Sequence, residues 1–198
     1  MLVFNEEKHE YTVDGIKIKK SLTQILESVG IIDFSCVPER ILGPALRFGK
    51  AVHKATELYD LGILDESALD PALKPYLAGW VKFLKDTGFV AHLIEKPLAA
   101  KIYGTWIATT PDRIGMMKGK LTDVEIKSGS LLPGTAIQTA GHKLIYDVGK
   151  EFKNHIKVRL GVRLTGDGNW RPEYYKNKND MSVFLSALNI TNWKELNS

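Results

Sequence analysis

Apolar residues recur every three or four positions between residues 44 and 61. The residues that form this repeat are Phe48, Val52, Ala55 and Tyr59. The spacing places them on one side of an α-helix and predicts an amphipathic helix over 44–61, closed by Gly62. Later in the chain, residues 155–164 alternate between apolar even positions and mostly basic odd positions. This alternation predicts a β-strand with one buried face.

Capping and turn residues mark the other elements. Ser21 and Gln24 have the spacing of a capping box, which predicts a helix from Ser21 to about Val29. The remaining predicted elements are a hairpin over 2–19 around Asp14-Gly15, a connection over 65–75, a helix over 76–86 before Gly88, strands over 89–127, a helix over 133–149, a turn at 166–169, a returning strand to Tyr174 and a helix over 180–188.

Strands lying between two groups of helices predict a central mixed β-sheet flanked by helices, which is an α/β (α+β) fold. A chain of 198 residues has the length of one domain. Within it we expect an N-terminal hairpin with helices over 1–88, a core over 89–149, and basic strands with a closing helix over 150–198.

Composition excludes several classes of protein. With 44% hydrophobic and 25% charged residues, the chain is typical of soluble proteins. It shows no signal-peptide pattern and no apolar run of membrane-spanning length, so we expect a cytoplasmic protein without a membrane partner. Cys36 is the only cysteine, which excludes an iron–sulfur cluster held by four cysteines. No Walker A sequence occurs, so ATP is not expected.

Positive charge is concentrated near the C-terminus. The net charge is +4, yet residues 150–178 contain eight Lys or Arg against three acidic residues and carry +5. Trp170, Tyr174 and Tyr175 are interleaved with these cations. The pattern fits either a solvated outer face or guarded sheet edge, or a surface that follows a phosphate backbone.

The segment from Pro111 to Lys127 carries the chemistry. Glu125 and Lys127 are two apart on a predicted strand and therefore share a face, while Val124 and Ile126 face a core. A tight turn at 118–120 would fold Asp112 back beside Glu125. Two carboxylates and an ammonium at one point favour a hard divalent cation with an activated water. A solvated strand face and an ordinary turn aspartate are the alternative interpretation.

Five segments in a fixed order add to this interpretation. They are Tyr11–Gly15 with Ser21–Leu26, Phe48–His53, Thr110–Gly115, Val124–Gly129, and a helix that Gln138 opens. In this order they resemble the PD-(D/E)XK nuclease superfamily, in particular its RecB-like and phage-exonuclease branch; the mitochondrial genome maintenance exonuclease is similar in the same way. The resemblance implies a restriction-endonuclease-like core.

The resemblance also implies a metal-dependent DNA exonuclease that acts in phage or genome DNA processing, recombination or repair. The implied metal ligands are His53, Asp112, Glu125 and the backbone carbonyl of Ile126, and the implied catalytic residues are Asp112, Glu125, Lys127 and Gln138. The metal would be Mg²⁺ or Mn²⁺, and an imidazole ligand favours manganese. The DNA-binding candidates are Arg47, Lys157, Arg159, Arg163, Arg171, Tyr174 and Lys176.

The chain departs from the family pattern on the helix after Lys127. His142 stands at the position of the family tyrosine, and a tyrosine follows one turn later at Tyr146. Gln138, His142 and Tyr146 are spaced four apart and form one polar stripe, which we expect to point Gln138 towards the site. Glu57, Glu95, His142 and Tyr146 are further candidate site residues.

Two alternatives from other classes stay open. One is a nucleic-acid-binding module that keeps the fold without the activity. The other is a zinc-dependent hydrolase of small molecules that uses His53 and Glu57 as ligands. The sequence leaves open the polarity of digestion, the preference for single or double strands, exo- against endonucleolytic action, the number of metal ions and the oligomeric state.

Overall fold

The computed structural model describes residues 1–5, 8, 10–149 and 154–197. The strands in this part of the chain are β1 (Leu2–Asn5), β2 (Glu10–Val13), β3 (Ile16–Lys17), β4 (Val90–Ile94), β5 (Leu98–Ile102), β6 (Thr105–Thr109), β7 (Arg113–Met117), β8 (Lys120–Lys127), β9 (Val158–Leu164) and β10 (Trp170–Tyr174). The helices are α1 (Leu22–Ser28), α2 (Glu39–Asp60), α3 (Lys74–Thr87), α4 (Pro133–Val148) and α5 (Asn179–Leu196).

A five-stranded sheet lies at the centre, with strand order β10-β9-β8-β7-β4. Strands β8 and β9 run parallel, and the other neighbouring pairs are antiparallel. Helix α4 makes the connection between the two parallel strands. Strands β1–β3 form a separate meander, and β5 pairs with β6 in a two-stranded ribbon. The predicted fold class, a central mixed sheet flanked by helices, is confirmed.

Each face of the central sheet packs against its own group of helices. On one face, Val124 and Ile126 join a cluster with Val52 of α2 and with Trp80 and Phe83 of α3. The other face packs against α1, α4 and α5 in a second cluster, whose fully buried members include Leu22, Leu26 and Phe184. Because alternate residues of a strand face opposite sides, Glu125 and Lys127 point to the side of α4. Strand β8 is therefore covered on both faces.

The short-range predictions agree with the structure. Lys118 and Gly119 have φ of 50° and 73° and form the two-residue turn between β7 and β8, a conformation that favours glycine. Asp14 and Gly15 make the corresponding turn between β2 and β3. The Ser21–Gln24 capping box is formed in both directions.

Helices α2 and α5 differ most from their predicted lengths. Helix α2 begins at Glu39 rather than at Pro44, since the N–H groups of Ile41 and Leu42 already bond to the carbonyl of Pro38. Pro44 removes one helical hydrogen bond, but its fixed φ is compatible with a helix, so the turns before it persist. Helix α5 continues past Leu188 to Leu196.

Long-range contacts hold the extra turns of α5. Thr191 shares a 2.8 Å hydrogen bond with Ser28 of α1, and Asn192 donates to Thr105 of β6 at 3.1 Å. The apolar repeat of α5 is difficult to recognise in the sequence, because the apolar residues Ile190 and Trp193 are exposed rather than buried. None of the helices in the described part of the chain combines the length and apolar character needed to cross a bilayer.

Candidate functional site

The β7–β8 hairpin brings Asp112 to the carbonyl end of β8. Arg113 pairs with Val124 in the hairpin register, so Asp112 lies at the level of Glu125. The Asp112 carboxylate accepts the backbone N–H of Ile126 at 2.6 Å and is almost fully buried. The turn at 118–120 thus brings Asp112 level with Glu125, as the sequence predicts, but the Glu125 carboxylate is not part of the group of possible metal ligands found among the described residues.

His53 and Glu95 complete a group around Asp112. His53 Nδ1 lies 3.2 Å from Asp112 Oδ1 and 3.8 Å from Glu95 Oε1. One ligand atom from each of the three residues lies within 4.8 Å of the others. Two oxygen ligands on opposite sides of a cation, each about 2.1–2.3 Å from it, are about 4.2–4.6 Å apart. The donor set and its spacing therefore fit one divalent cation.

Electrostatics in this group favour a proton on the imidazole when no metal is bound. Burial lowers the pKa of His53, but the charge of Asp112 and hydrogen bonds to Asp112 and Glu95 outweigh it and raise the pKa to about 10. Burial raises the pKa of Asp112, and the charges of His53 and Lys127 reverse this and hold it well below its usual range. A metal ion at this site would have to displace the His53 proton.

Glu95 is held in an unusual backbone conformation. It directly follows β4 with φ of 45°, in the left-handed region that non-glycine residues seldom occupy. Its N–H donates to the carbonyl of Asp112 at 3.0 Å, which ties the end of β4 to the start of β7. Burial and the charge of Asp112 raise the pKa of Glu95 against the opposing charges of His53 and Arg113. Strained residues of this kind cluster at functional sites.

A buried arginine, Arg113, holds the Glu95 carboxylate in place from the protein interior. The Arg113 side chain is fully buried, and its Nε donates to Asp60 Oδ2 at 2.6 Å. Its Nη1 donates to Glu95 Oε1 at 3.2 Å and to the Asp112 carbonyl at 2.6 Å. Trp80 Nε1 donates to the other oxygen of Asp60 at 2.8 Å. This network connects α2 and α3 to the metal-ligand group.

Sequence reasoning missed the supporting network. Asp60 is 53 positions from Arg113 in the chain, so no local pattern joins them. The available signal was the arginine itself, which precedes the apolar Ile114 on a strand of the predicted core. A cation entering a core needs a buried partner.

Lys127 and Glu125 lie side by side on β8. Lys127 Nζ donates to Glu125 Oε1 at 2.6 Å. Burial lowers the pKa of Lys127, but the charges of Glu125 and Asp112 outweigh it and raise the pKa above its ordinary value. Lys127 is therefore a cation at neutral pH, suited to stabilising negative charge rather than to accepting a proton.

His142 lies behind Glu125, on α4. Its side chain is fully buried, and Nδ1 lies 3.4 Å from Asp123 Oδ2 and 3.8 Å from Glu125 Oε2. Among the described residues, neither imidazole nitrogen and neither Asp123 oxygen has a hydrogen-bond partner. Burial raises the pKa of Asp123; burial lowers that of His142, but Asp123 and Glu125 outweigh it and raise the pKa. Asp123 is a second residue that sequence reasoning missed.

The other candidates take different positions. Gln138 is half-buried on α4, and Tyr146 packs into the core cluster beneath α1 and α5. The Glu57 carboxylate pairs with Lys54 at 2.8 Å and is not part of the metal-ligand group found among the described residues. The pairing of His53 with Glu57 as zinc ligands is therefore replaced by His53 with Glu95 and Asp112.

Six of the seven DNA-binding candidates separate into three sets. Arg163 pairs with Lys127 across β8–β9 and with Arg171 across β9–β10, so Lys127, Arg163 and Arg171 form a row on one face of the sheet. Lys157, Tyr174 and Lys176 lie at the opposite end of these strands. Arg47 is exposed on α2.

Arg159 does not present a free cation. Its guanidinium donates to Asp180 at 2.7 Å and to the carbonyls of Ala136 and Asn177 at 2.8 and 3.1 Å. The predicted solvent-facing side of β9 is covered here by the start of α5. Arg159 therefore joins β9 to α4 and α5, and its contact with DNA stays a prediction.

Comparison with known proteins gives a fold likeness. No protein-family model matches the chain, and no curated protein matches it. The crystal structure of a "Putative exonuclease" from Eubacterium rectale is similar over 91% of this chain and 74% of that chain, with a TM-score of 0.54 and 13% identity. The match to the crystal structure of an alkaline exonuclease from Laribacter hongkongensis covers 87% of this chain and 89% of that chain, with a TM-score of 0.40 and 13% identity. The first likeness shows a shared fold.

Proposed function

We propose that the protein is a divalent-metal-dependent nuclease that hydrolyses phosphodiester bonds in DNA, and that it acts as an exonuclease. The observation that carries the proposal is the group of His53, Glu95 and Asp112, with ligand atoms within 4.8 Å of one another, next to the Glu125–Lys127 pair. A fold neighbour titled "Putative exonuclease" supports a nuclease, and the PD-(D/E)XK-like order of motifs implies DNA as its substrate. A cytoplasmic location remains part of this proposal.

His53, Glu95 and Asp112 would hold the cation, with Glu125 and the Ile126 carbonyl as additional proposed ligands. Bound Mg²⁺ or Mn²⁺ supplies a water of lowered pKa and neutralises charge on the scissile phosphate. The Ile126 N–H fixes one Asp112 oxygen and leaves the other directed at His53. Arg113 fixes Glu95 in the same way from the protein side.

Lys127 provides positive charge where the reaction develops negative charge. Its ammonium is held by Glu125 Oε1, and the side chain as a whole is 31% exposed, so we expect Lys127 to reach a substrate oxygen from this position. Arg163 and Arg171 continue the row of cations across the sheet at intervals of about 4.8 Å. We expect them to bind the phosphates next to the one that is cleaved.

The test uses linear DNA labelled at either the 5′ or the 3′ end, in single- and double-stranded form, with Mg²⁺, Mn²⁺ or EDTA. We expect metal-dependent release of nucleotides from an end, and a loss of at least about 100-fold in rate for Lys127→Ala. Lys85→Ala, which removes an exposed cation from α3, is the matched control. If no metal supports cleavage, or if Lys127→Ala cuts as fast as the control, the proposed function is wrong.

A further inference from the structure

The end of the sheet opposite the metal-ligand group holds a basic groove that the proposed reaction does not use. We call it the distal groove and define it by the cations along its wall: Lys120, Lys143, Lys157, Arg159, Lys176 and Lys178. Its volume is about 680 Å³, and none of the described residues that line it carries a carboxylate. Strand β8 begins at the groove with Lys120 and ends at the metal-ligand group with Lys127, so the two are about 23 Å apart at about 3.3 Å per residue.

Most of the positive charge in the distal groove is not neutralised by the protein. Arg159 is paired with Asp180, and Lys143 is paired with Asp147. The other four lysines, Lys120, Lys157, Lys176 and Lys178, are exposed. Within the part of the chain that the structure describes, their ammonium groups make no salt bridge. Four lysines without an acidic partner among the described residues, arranged around one concavity, fit a polyanion.

An exposed aromatic side chain in the distal groove indicates which class of polyanion would bind there. Tyr174 ends the edge strand β10 and is 46% exposed. Lys176 Nζ lies 5.9 Å from the centroid of its ring. The segment 174–177 also lines a second cavity, of about 810 Å³, which extends to the start of α4. An exposed ring flanked by cations suits an unpaired base with its phosphates, whereas bases in a duplex are already stacked.

The basic residues at the two ends are connected along the sheet. Strand β9 carries Arg163 at the metal end and is preceded by Lys157 at the groove end, and β10 carries Arg171 and Tyr174 in the same order. A DNA strand that leaves the row of Lys127, Arg163 and Arg171 would reach the groove by following the β9–β10 edge. The basic residues of the two ends thus lie on the same pair of strands, with the exposed Glu173 between Arg171 and Tyr174.

We propose that the distal groove binds the single-stranded part of a DNA substrate about 23 Å from the cleaved bond. This inference rests on the proposed function, because it assigns the form of the substrate of that site. The groove retains the strand through its phosphates at the four lysines and through base stacking on Tyr174. DNA too short to span the distance gains nothing from it.

Binding without cleavage tests the groove separately from the reaction. Affinity for a fluorescent 30-nucleotide single strand is measured in EDTA, in a Lys127→Ala background, between 50 and 200 mM salt. The groove variant is Lys157→Gln/Lys176→Gln/Lys178→Gln. The control is Lys74→Gln/Lys85→Gln/Lys101→Gln, which removes the same charge from exposed positions elsewhere.

Each lost phosphate contact on a single strand lowers the salt slope by about 0.7. We expect the groove variant to lose about 2 from the slope of log affinity against log salt, which makes about a 20-fold difference over this salt range, while the control keeps the parental slope. A second variant, Tyr174→Leu, should lose about tenfold in affinity for the single strand and nothing for a blunt duplex.

Other results overturn the proposal. Equal slopes for the groove variant and the control would show that the groove does not contact DNA. Equal losses on single strand and blunt duplex after Tyr174→Leu would show that no unpaired base stacks there. Competition by inorganic pyrophosphate or a mononucleotide as strong per phosphate as by the 30-mer would assign the groove to a small anion. Each of these readouts remains decisive if no metal supports cleavage.

Discussion

Replacing Arg113 by methionine tests whether the buried network beneath the metal-ligand group holds the fold together. Methionine keeps a long unbranched side chain but removes the charge and all its hydrogen bonds. Asp60, which is only 6% exposed at its side chain, then keeps Trp80 Nε1 as a donor but loses its cation. Breaking a buried ion pair by removing one partner costs about 3–5 kcal/mol, because the remaining charge is uncompensated.

We therefore expect the free energy of unfolding to fall by about 3–5 kcal/mol. For a domain of this size that corresponds to a decrease in Tm of about 6–20 °C. Urea unfolding followed by circular dichroism, in EDTA, measures the change in free energy. Lys85→Met on α3 is the matched control and should change stability by less than about 0.5 kcal/mol, because that lysine is exposed.

A double-mutant cycle separates the charge effect from lost packing. Asp60→Leu alone leaves Arg113 with Glu95 as its remaining carboxylate partner and should also destabilise the protein. The combined variant leaves neither charge of this pair uncompensated, so its loss should be smaller than the sum of the two single losses by about 0.5–3 kcal/mol. Additive losses, or a cost below about 1 kcal/mol for Arg113→Met, would refute the assignment of Arg113 as the buried support.

The metal-ligand group and β9 give three further expectations. The pKa of His53 is raised from 6.5 to about 10 in the folded protein. The contribution of protonated His53 to the stability of the metal-free protein is therefore complete below about pH 6.5 and is lost as the pH rises towards 10. In His53→Gln, the free energy of unfolding measured across this window should depend less on pH. Saturating Mn²⁺ at about 100 times its Kd should stabilise the protein by about 2.7 kcal/mol in thermal unfolding, and Asp112→Asn should abolish that gain. Gly161→Ala should cost about 1–3 kcal/mol in urea unfolding, because the new Cβ would lie 2.6 Å from the Tyr175 hydroxyl; an unchanged midpoint would contradict this reasoning.

The parts of the site that could be predicted from sequence are local. The turn at Lys118-Gly119 fixes the hairpin, and two-residue periodicity then places Glu125 and Lys127 on one face. Asp112 follows from the hairpin register. These inferences need no knowledge of distant contacts, and the structure reproduces the register and the shared face, whereas the described metal-ligand group contains Asp112 but not Glu125.

The remaining parts depend on contacts between distant segments. Asp60 meets Arg113, and Asp123 meets His142, only after the helices have packed on the two faces of the sheet. The alternation in β9 correctly predicts a buried face, but the partner of Arg159 is Asp180, which belongs to a helix later in the chain. The basic residues that alternate along β9 therefore include both structural residues and exposed ones, and their spacing in the sequence does not distinguish the two kinds.

Gly161 links the strand of the candidate catalytic residues to the chain that follows β10. It lies between Glu125 and Glu173 in the sheet register, and the Tyr175 hydroxyl occupies the space that a side chain there would fill. Tyr175 also continues the pairing of β10, since its N–H donates to the carbonyl of Arg159 at 3.0 Å. Any side chain at position 161 would therefore have to displace the Tyr175 ring, and with it the segment that continues the edge of the sheet after β10.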